Sequence, residues 1–83
     1  MYYVYVLRSL RNNKLYKGFT ADLKRRVKEH SLGNSKFTSN NGPWKLVYYQ
    51  AFVSEKDARR EELFLKTGKG KERLKFLLIE SIK

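Results

Sequence analysis

The 83-residue sequence predicts an α+β protein with the element order β-β-α-β-α-α. Three observations carry this. Two runs, "YYVYVLRS" and "WKLVYYQAFV", are rich in aromatic and β-branched residues, the composition of strands. An Asn12-Asn13 pair sits just after the first run, where a tight turn is needed. Three further segments carry apolar residues three or four positions apart, the period of a helix packed on one face.

The elements follow in order. Tyr2 to Arg8 reads as the first strand, Asn12-Asn13 as the turn because Asn tolerates φ > 0, and "KLYKGF" as the returning strand. Strands joined this closely pair antiparallel. Thr20 is the expected N-cap of "ADLKRRVKEH", with Asp22 in the first turn favouring the dipole. Leu23 and Val27 define its buried stripe, Arg26 and His30 lie four apart on an adjoining face, and Gly33 is the expected stop. "NSKFTSNNGPW" reads as a polar loop. "WKLVYYQAFV" is the third strand, expected to be central or well covered. Ser54 opens the second helix with Asp57 as a variant capping box; Ala58, Leu65 and either Leu63 or Phe64 are its core residues, and Gly68 is its expected end. The last helix presents Leu74, Leu77 and Leu78, and the "KTGKGK" turn before it, Lys66 to Lys71, reads as a phosphate-contacting loop or else a merely soluble one.

Residues 1–83 are expected to form one domain, with a core limited by its size: so short a chain buries only about 60% of its unfolded surface. There is no cysteine, which excludes disulfides and thiolate metal sites. No apolar run approaches the roughly 20 residues of a membrane span, and the N-terminus lacks the features of a signal peptide. The expected location is the cytoplasm, with no membrane partner and, in the expected case, a monomer. Nineteen Lys and Arg face eight Asp and Glu, a net charge of +11. Such an excess fits a phosphate-backbone partner, DNA in the first instance and RNA as the alternative.

The chemistry is narrowed by what is missing. One histidine and no cysteine exclude a metallohydrolase built on His pairs. There is no G-x-S-x-G elbow, P-loop or dinucleotide fingerprint, so no small-molecule cofactor is expected. Tyr, Arg, His and a few Glu remain, a set suited to phosphodiester chemistry with at most one metal ion. Arg neutralises phosphate charge, one Glu holds one Mg²⁺ (or Mn²⁺) that keeps several waters, and Tyr handles a proton.

Spacing adds a resemblance. Val4-Tyr5 is followed after ten residues by Tyr16-Lys17-Gly18; Arg26 stands ten beyond Tyr16, and Ala58 precedes Glu62 by four. With "YVYVLRS", "LYKGFTADLKRRVKEH", "PWKLVYYQAF" and "KDARREELFLKTGKGK", this pattern resembles the GIY-YIG nuclease superfamily, and within it the small stand-alone bacterial branch. Thr38, Trp44 and Lys66 belong to the branch pattern too. The resemblance implies a three-stranded antiparallel sheet flanked by helices. It implies a divalent-metal-dependent DNA endonuclease linked to repair or recombination; so small a domain has little surface for reading bases, so recognition of DNA structure or backbone is expected over sequence. Tyr5 and Tyr16 match the motif tyrosines, Gly18 the motif glycine, Arg26 the arginine on the scissile phosphate, His30 a histidine that assists the tyrosine in some members, and Glu62 the ligand of a single metal ion.

The sequence also departs from the pattern. Tyr3 stands where the first half-motif has glycine, Lys17 replaces an apolar residue, Phe19 takes a position often basic in repair-type members, and Leu74 one where some members carry Asn. These departures motivate the alternative reading, a nucleic-acid-binding module with weak or no cleavage. Lys17, Gly18, Arg25, Lys66, Lys69 and Lys71 are the candidate nucleic-acid contacts in either reading. Two residues keep two readings each: His30 either complements the dipole of its helix or joins the site, and Trp44 either lids the core or stacks on a base.

Overall fold

The computed structural model describes residues 1–31 and 41–82. Gly33 and Thr38 lie outside the described residues. The elements are β1 (Tyr2–Ser9), β2 (Leu15–Thr20), α1 (Leu23–Ser31), β3 (Trp44–Phe52), α2 (Glu55–Leu65) and α3 (Gly68–Leu77). The fold is α+β in the predicted order.

The β1–β2 hairpin closes where the Asn pair predicts. Asn13 adopts φ 63°, the left-handed region that Asn enters more readily than most residues. The Asn12 side chain accepts from the Lys14 amide at 3.1 Å. Ser9, fully buried at the end of β1, ties down the same corner: its hydroxyl accepts from the Arg11 and Asn12 amides and donates to the Asn41 carbonyl.

The sheet order is β2-β1-β3, antiparallel throughout, with Tyr5 of β1 opposite Gly18 of β2 and Tyr49 of β3. The central strand is therefore β1, and β3 is an edge, contrary to the sequence expectation. The reason lies in the side chains. Val4, Tyr5, Val6 and Leu7 are all buried, so β1 is apolar on both faces, as only an interior strand can be. β3 alternates instead: Tyr49 is 55% exposed, and Tyr48 directs its hydroxyl to Gln50.

The two faces of β1 build two cores. Val4 and Val6 pack with Ala58 and Leu65 of α2 and with Leu74 and Leu78 of the α3 segment. Tyr5 and Leu7 pack with Trp44, and with Leu23 and Val27 of α1. One sheet thus separates α1 from the α2–α3 pair.

Local capping corrects two boundaries and keeps a third. α1 starts at Leu23, with the Asp22 carboxylate accepting from the Arg25 amide; Thr20 ends β2 and uses its hydroxyl to hold the Asp22 amide in a turn. Ser54 caps α2 as predicted, accepting from the Asp57 amide. Gly68 opens α3 rather than stopping α2, because Thr67 caps the new helix through the Gly70 amide. The "KTGKGK" stretch is consequently the end of α2 and the first turn of α3, not a free loop. Gly70 is buried where a Cβ would collide with the Phe64 carbonyl, so the α2–α3 corner closes on a glycine. Leu63 and Leu77 are exposed, and Phe64 supplies the partly buried contact.

Candidate active site

Strand alternation divides β2 between the two faces. Tyr16 and Gly18 face α1, while Leu15 and Phe19 pack with the α2–α3 core and Lys17 joins their side. An ideal Cβ at Gly18 would fall on Cζ and Oη of Tyr5. The glycine therefore lets the tyrosine of the central strand lie across its neighbour, with its hydroxyl carried toward the β2 edge.

Four of the predicted residues come together around that hydroxyl. Tyr5 Oη and His30 Nε2 are 3.0 Å apart in a buried hydrogen bond. The Tyr16 ring lies 4.9 Å from the His30 ring and 6.2 Å from that of Tyr5. The Arg26 guanidinium interacts with both tyrosine hydroxyls. His30 is the one fully buried residue of α1, sharing the stripe with Leu23 and Val27 rather than lying beside it. A histidine serving only the helix dipole would stay at the solvated end of the helix. The side chain instead points between the tyrosines.

Glu62 is not part of this cluster. It lies on α2, against the opposite face of the sheet, where its carboxylate accepts from Lys66 Nζ at 3.3 Å. The two groups flank β2. Neighbouring Arg59 spreads over the Phe19 ring, 4.4 Å from its centroid, so Phe19 belongs to the α2 face and brings a cation to it. Lys17 is on this face as well, close enough to Lys66 and Lys71 to feel both charges. Arg25 is exposed on α1 and paired with Glu29 at 2.8 Å. Lys69 is exposed in the first turn of α3.

Comparisons with known proteins identify the family. A family model, the GIY-YIG catalytic domain, matches residues 1–75. The chain belongs to the GIY-YIG family. It is 36% identical to a UPF0213 protein of Clostridium perfringens, an alignment covering all of this chain and 89% of that one. A UPF0213 protein of Streptococcus pneumoniae is 38% identical, over 90% of this chain and 76% of the relative. The solution NMR structure of a UPF0213 protein from Bacillus halodurans superposes with a TM-score of 0.57 at 38% identity, covering 93% of this chain and 85% of the other. GIY-YIG domains form a nuclease family, and a nucleic-acid substrate goes with that membership.

Two neighbours complete the cluster, Trp44 with its two readings and Glu29, which the sequence did not single out. Trp44, 8% exposed, sets its ring edge-on to Tyr16 at 6.4 Å, which decides its two readings in favour of the core. Glu29 is paired with Arg26 at 3.5 Å as well as with Arg25. A carboxylate preceded at i−3 by arginine on a helix face is too common a pattern to have marked it.

The donor set around Glu62 bears on the metal that the family implies. Among the described residues no three His, Cys, Asp or Glu groups cluster as a closed metal cage. One carboxylate, with its side chain 19% exposed, suits Mg²⁺ or Mn²⁺, which takes its other ligands from water and substrate oxygens. It does not suit structural zinc.

The electrostatics of the cluster favour neutral groups. Burial, with Tyr16 alongside, pushes the Tyr5 hydroxyl up to about 12, against the pull of Arg26. Burial, helped by the Arg26 charge, holds the His30 imidazole below its usual value, against Glu29. At neutral pH the hydrogen bond therefore joins a phenol donor to an imidazole acceptor. Two stability limits follow. Below pH 6.5 the unfolded chain protonates His30 before the folded chain does, so stability falls as pH falls. Above pH 10 the unfolded chain ionises Tyr5 first, so stability falls as pH rises toward about 12. Urea midpoints measured across pH should show both limbs. The acid limb belongs to the sole histidine, since no other side chain ordinarily titrates between about pH 5 and 6.5. The Tyr5→Phe variant should lose part of the alkaline limb; an unchanged profile would contradict the assignment.

Proposed function

We propose that the protein is a divalent-metal-dependent endonuclease that hydrolyses DNA phosphodiester bonds. It would be directed by DNA structure, in repair or recombination, and act as a single cytoplasmic domain of residues 1–83. The observation that carries the reading is the buried Tyr5–His30 hydrogen bond beside Tyr16 and Arg26. A hydroxyl and a neutral imidazole in series can move a proton without forming a free phenolate. Tyr5 takes the proton of the attacking water as its own passes to His30 Nε2. This avoids the unfavourable ionisation of a tyrosine whose pKa is raised. Arg26 would leave its pairing with Glu29 to neutralise the phosphate oxygens, and Tyr16 would orient it. Glu62 would hold one Mg²⁺ or Mn²⁺, which supplies charge neutralisation at the phosphate and the leaving oxygen. In-line attack then leaves 5′-phosphate and 3′-hydroxyl ends.

The second reading is a binding module without cleavage. The Lys66 ammonium on Glu62 favours it, because a carboxylate already paired with a cation takes up a metal less readily. The test is incubation of labelled single-stranded, duplex and branched DNA, and matching RNA, with Mg²⁺, Mn²⁺ or EDTA. Metal-dependent products with 5′-phosphate ends are expected on at least one DNA form. Tight, salt-sensitive binding with no product on any substrate would replace the nuclease reading by the second one.

A further inference from the structure

The α2–α3 face carries a feature that the cleavage chemistry does not use. Lys17 of β2, Lys71 and Lys75 of α3 converge on one cleft of about 210 Å³, floored by Leu15 and Leu74. Lys71 and Lys75 stand one helical turn apart and flank the buried Leu74. Among the described residues, none of these three lysines forms an ion pair with a carboxylate; the nearby carboxylates Glu62 and Glu61 are paired with Lys66 and Arg73.

Gathering unpaired cations is unfavourable. Burial, then the charges of Lys71 and Lys66, push the Lys17 ammonium below its usual value, so its charge opposes the fold. An apolar residue at position 17 would pack on Leu15 and Leu74 without this repulsion, so a lysine here is the costlier choice for packing alone. The floor is apolar and the walls are three flexible ammonium groups, a setting that suits the tetrahedral oxygens of a phosphate better than a planar carboxylate held by a fixed fork.

We propose that the Lys17–Lys71–Lys75 cleft is a second phosphate subsite, taking a phosphate of the bound nucleic acid on the opposite side of β2 from Arg26. This rests on the reading above that the partner is a nucleic acid. Lys66 joins the two places, since its ammonium holds Glu62 while its charge reaches Lys17. A strand engaged at Arg26 crosses the β2 edge beside Gly18 and delivers a further phosphate to the lysines. That phosphate is either an internal diester or a terminal monoester at a 5′ end; the cleft recognises the group they share.

The experiment has two arms. In the first, lysine side-chain NMR signals are followed during titration with inorganic phosphate. Saturable shifts at Lys17, Lys71 and Lys75 are expected, and their loss at Lys71 and Lys75 in Lys17→Met. In the second, DNA affinity is measured in EDTA, so that nothing is cut, for the Lys17→Met/Lys71→Met double variant. Binding should weaken on the order of tenfold, and the salt dependence should flatten by about one phosphate contact. A loss on both 5′-hydroxyl and 5′-phosphate oligonucleotides identifies an internal diester; a loss confined to the 5′-phosphate oligonucleotide identifies a terminal monoester. Lys17→Met should also raise the melting temperature, because it relieves repulsion. Unmoved lysine signals, DNA affinity unchanged in the double variant, or a lowered melting temperature in Lys17→Met would each overturn the subsite. Because neither arm depends on cutting, a subsite that passes both stands even where the wild-type protein cleaves nothing.

Discussion

Glu62→Ala is expected to lower metal-dependent cleavage by on the order of a thousandfold while DNA binding holds or tightens. The two halves of that result have separate causes. Glu55 shares this stripe of α2 but its side chain is 48% exposed against 19% for Glu62, so loss of Glu62 removes the proposed metal anchor. Its other partnership is the pair with Lys66, whose side chain is 51% exposed. An exposed i,i+4 pair contributes at most a few tenths of a kcal/mol, and alanine returns some of that through helix propensity. The fold is therefore retained. Lys66 is released and the net charge rises by one, so phosphate binding does not suffer. Cleavage and binding should be measured on the same preparation, in Mg²⁺ and in EDTA. A variant that still cuts at the wild-type rate removes Glu62 from the chemistry; one that neither cuts nor binds shows that Glu62 has a structural role instead.

The second large effect is expected at Gly18. Alanine normally strengthens a strand relative to glycine by about 0.5–1 kcal/mol. Here its methyl group would land on the end of the Tyr5 ring. Tyr5 is 1% exposed and fenced by Tyr16, His30, Leu7 and Trp44, so it has nowhere to swing. Overpacking of this kind costs about 1–3 kcal/mol and outweighs the strand preference. The displaced ring also loses its 3.0 Å bond to His30, so cleavage falls with stability. Urea denaturation of Gly18→Ala, Tyr5→Leu and the double variant separates the two effects. Leucine is shorter than the tyrosine ring and leaves room for the methyl, so the second substitution should cost less in the Tyr5→Leu background than alone. Equal costs in both backgrounds would mean that the glycine is needed for some other reason. Cleavage should stay lost in the double variant.

These two residues also mark what the sequence made legible. The hairpin was readable because Asn13 solves a local problem, and the α2 cap because Ser54 does. Tyr5, Tyr16, Arg26 and His30 were readable as a group because they lie on a hairpin and the helix that follows it, so short chain distances bring them together. The centre of the sheet was misread because aromatic rings on β3 look apolar in a one-letter code, while Tyr49 is exposed and Tyr48 is only partly buried, with its hydroxyl on Gln50. Gly68 and Thr20 were misread because glycine both ends and begins helices, and because a threonine two residues before Asp22 offers the same capping oxygen. The face on which Glu62 sits, and the meeting of Lys17 with Lys71, depend on how α2 and α3 pack back onto the sheet. No local spacing encodes that.

The position of β2 at the margin of the sheet has a further bearing on assembly. Among the described residues β2 and β3 each pair on one side only, and such an edge can recruit a neighbour by continuing the ladder. At β2 such recruitment would wall off the crossing between the tyrosine cluster and the lysine cleft, so self-association along this margin and access to substrate are mutually exclusive. The same Lys17 that faces the cleft guards against it, since a cation on a marginal strand discourages a second copy from docking there. On the proposed reading, Lys17 in the middle of β2 would keep this edge open to nucleic acid.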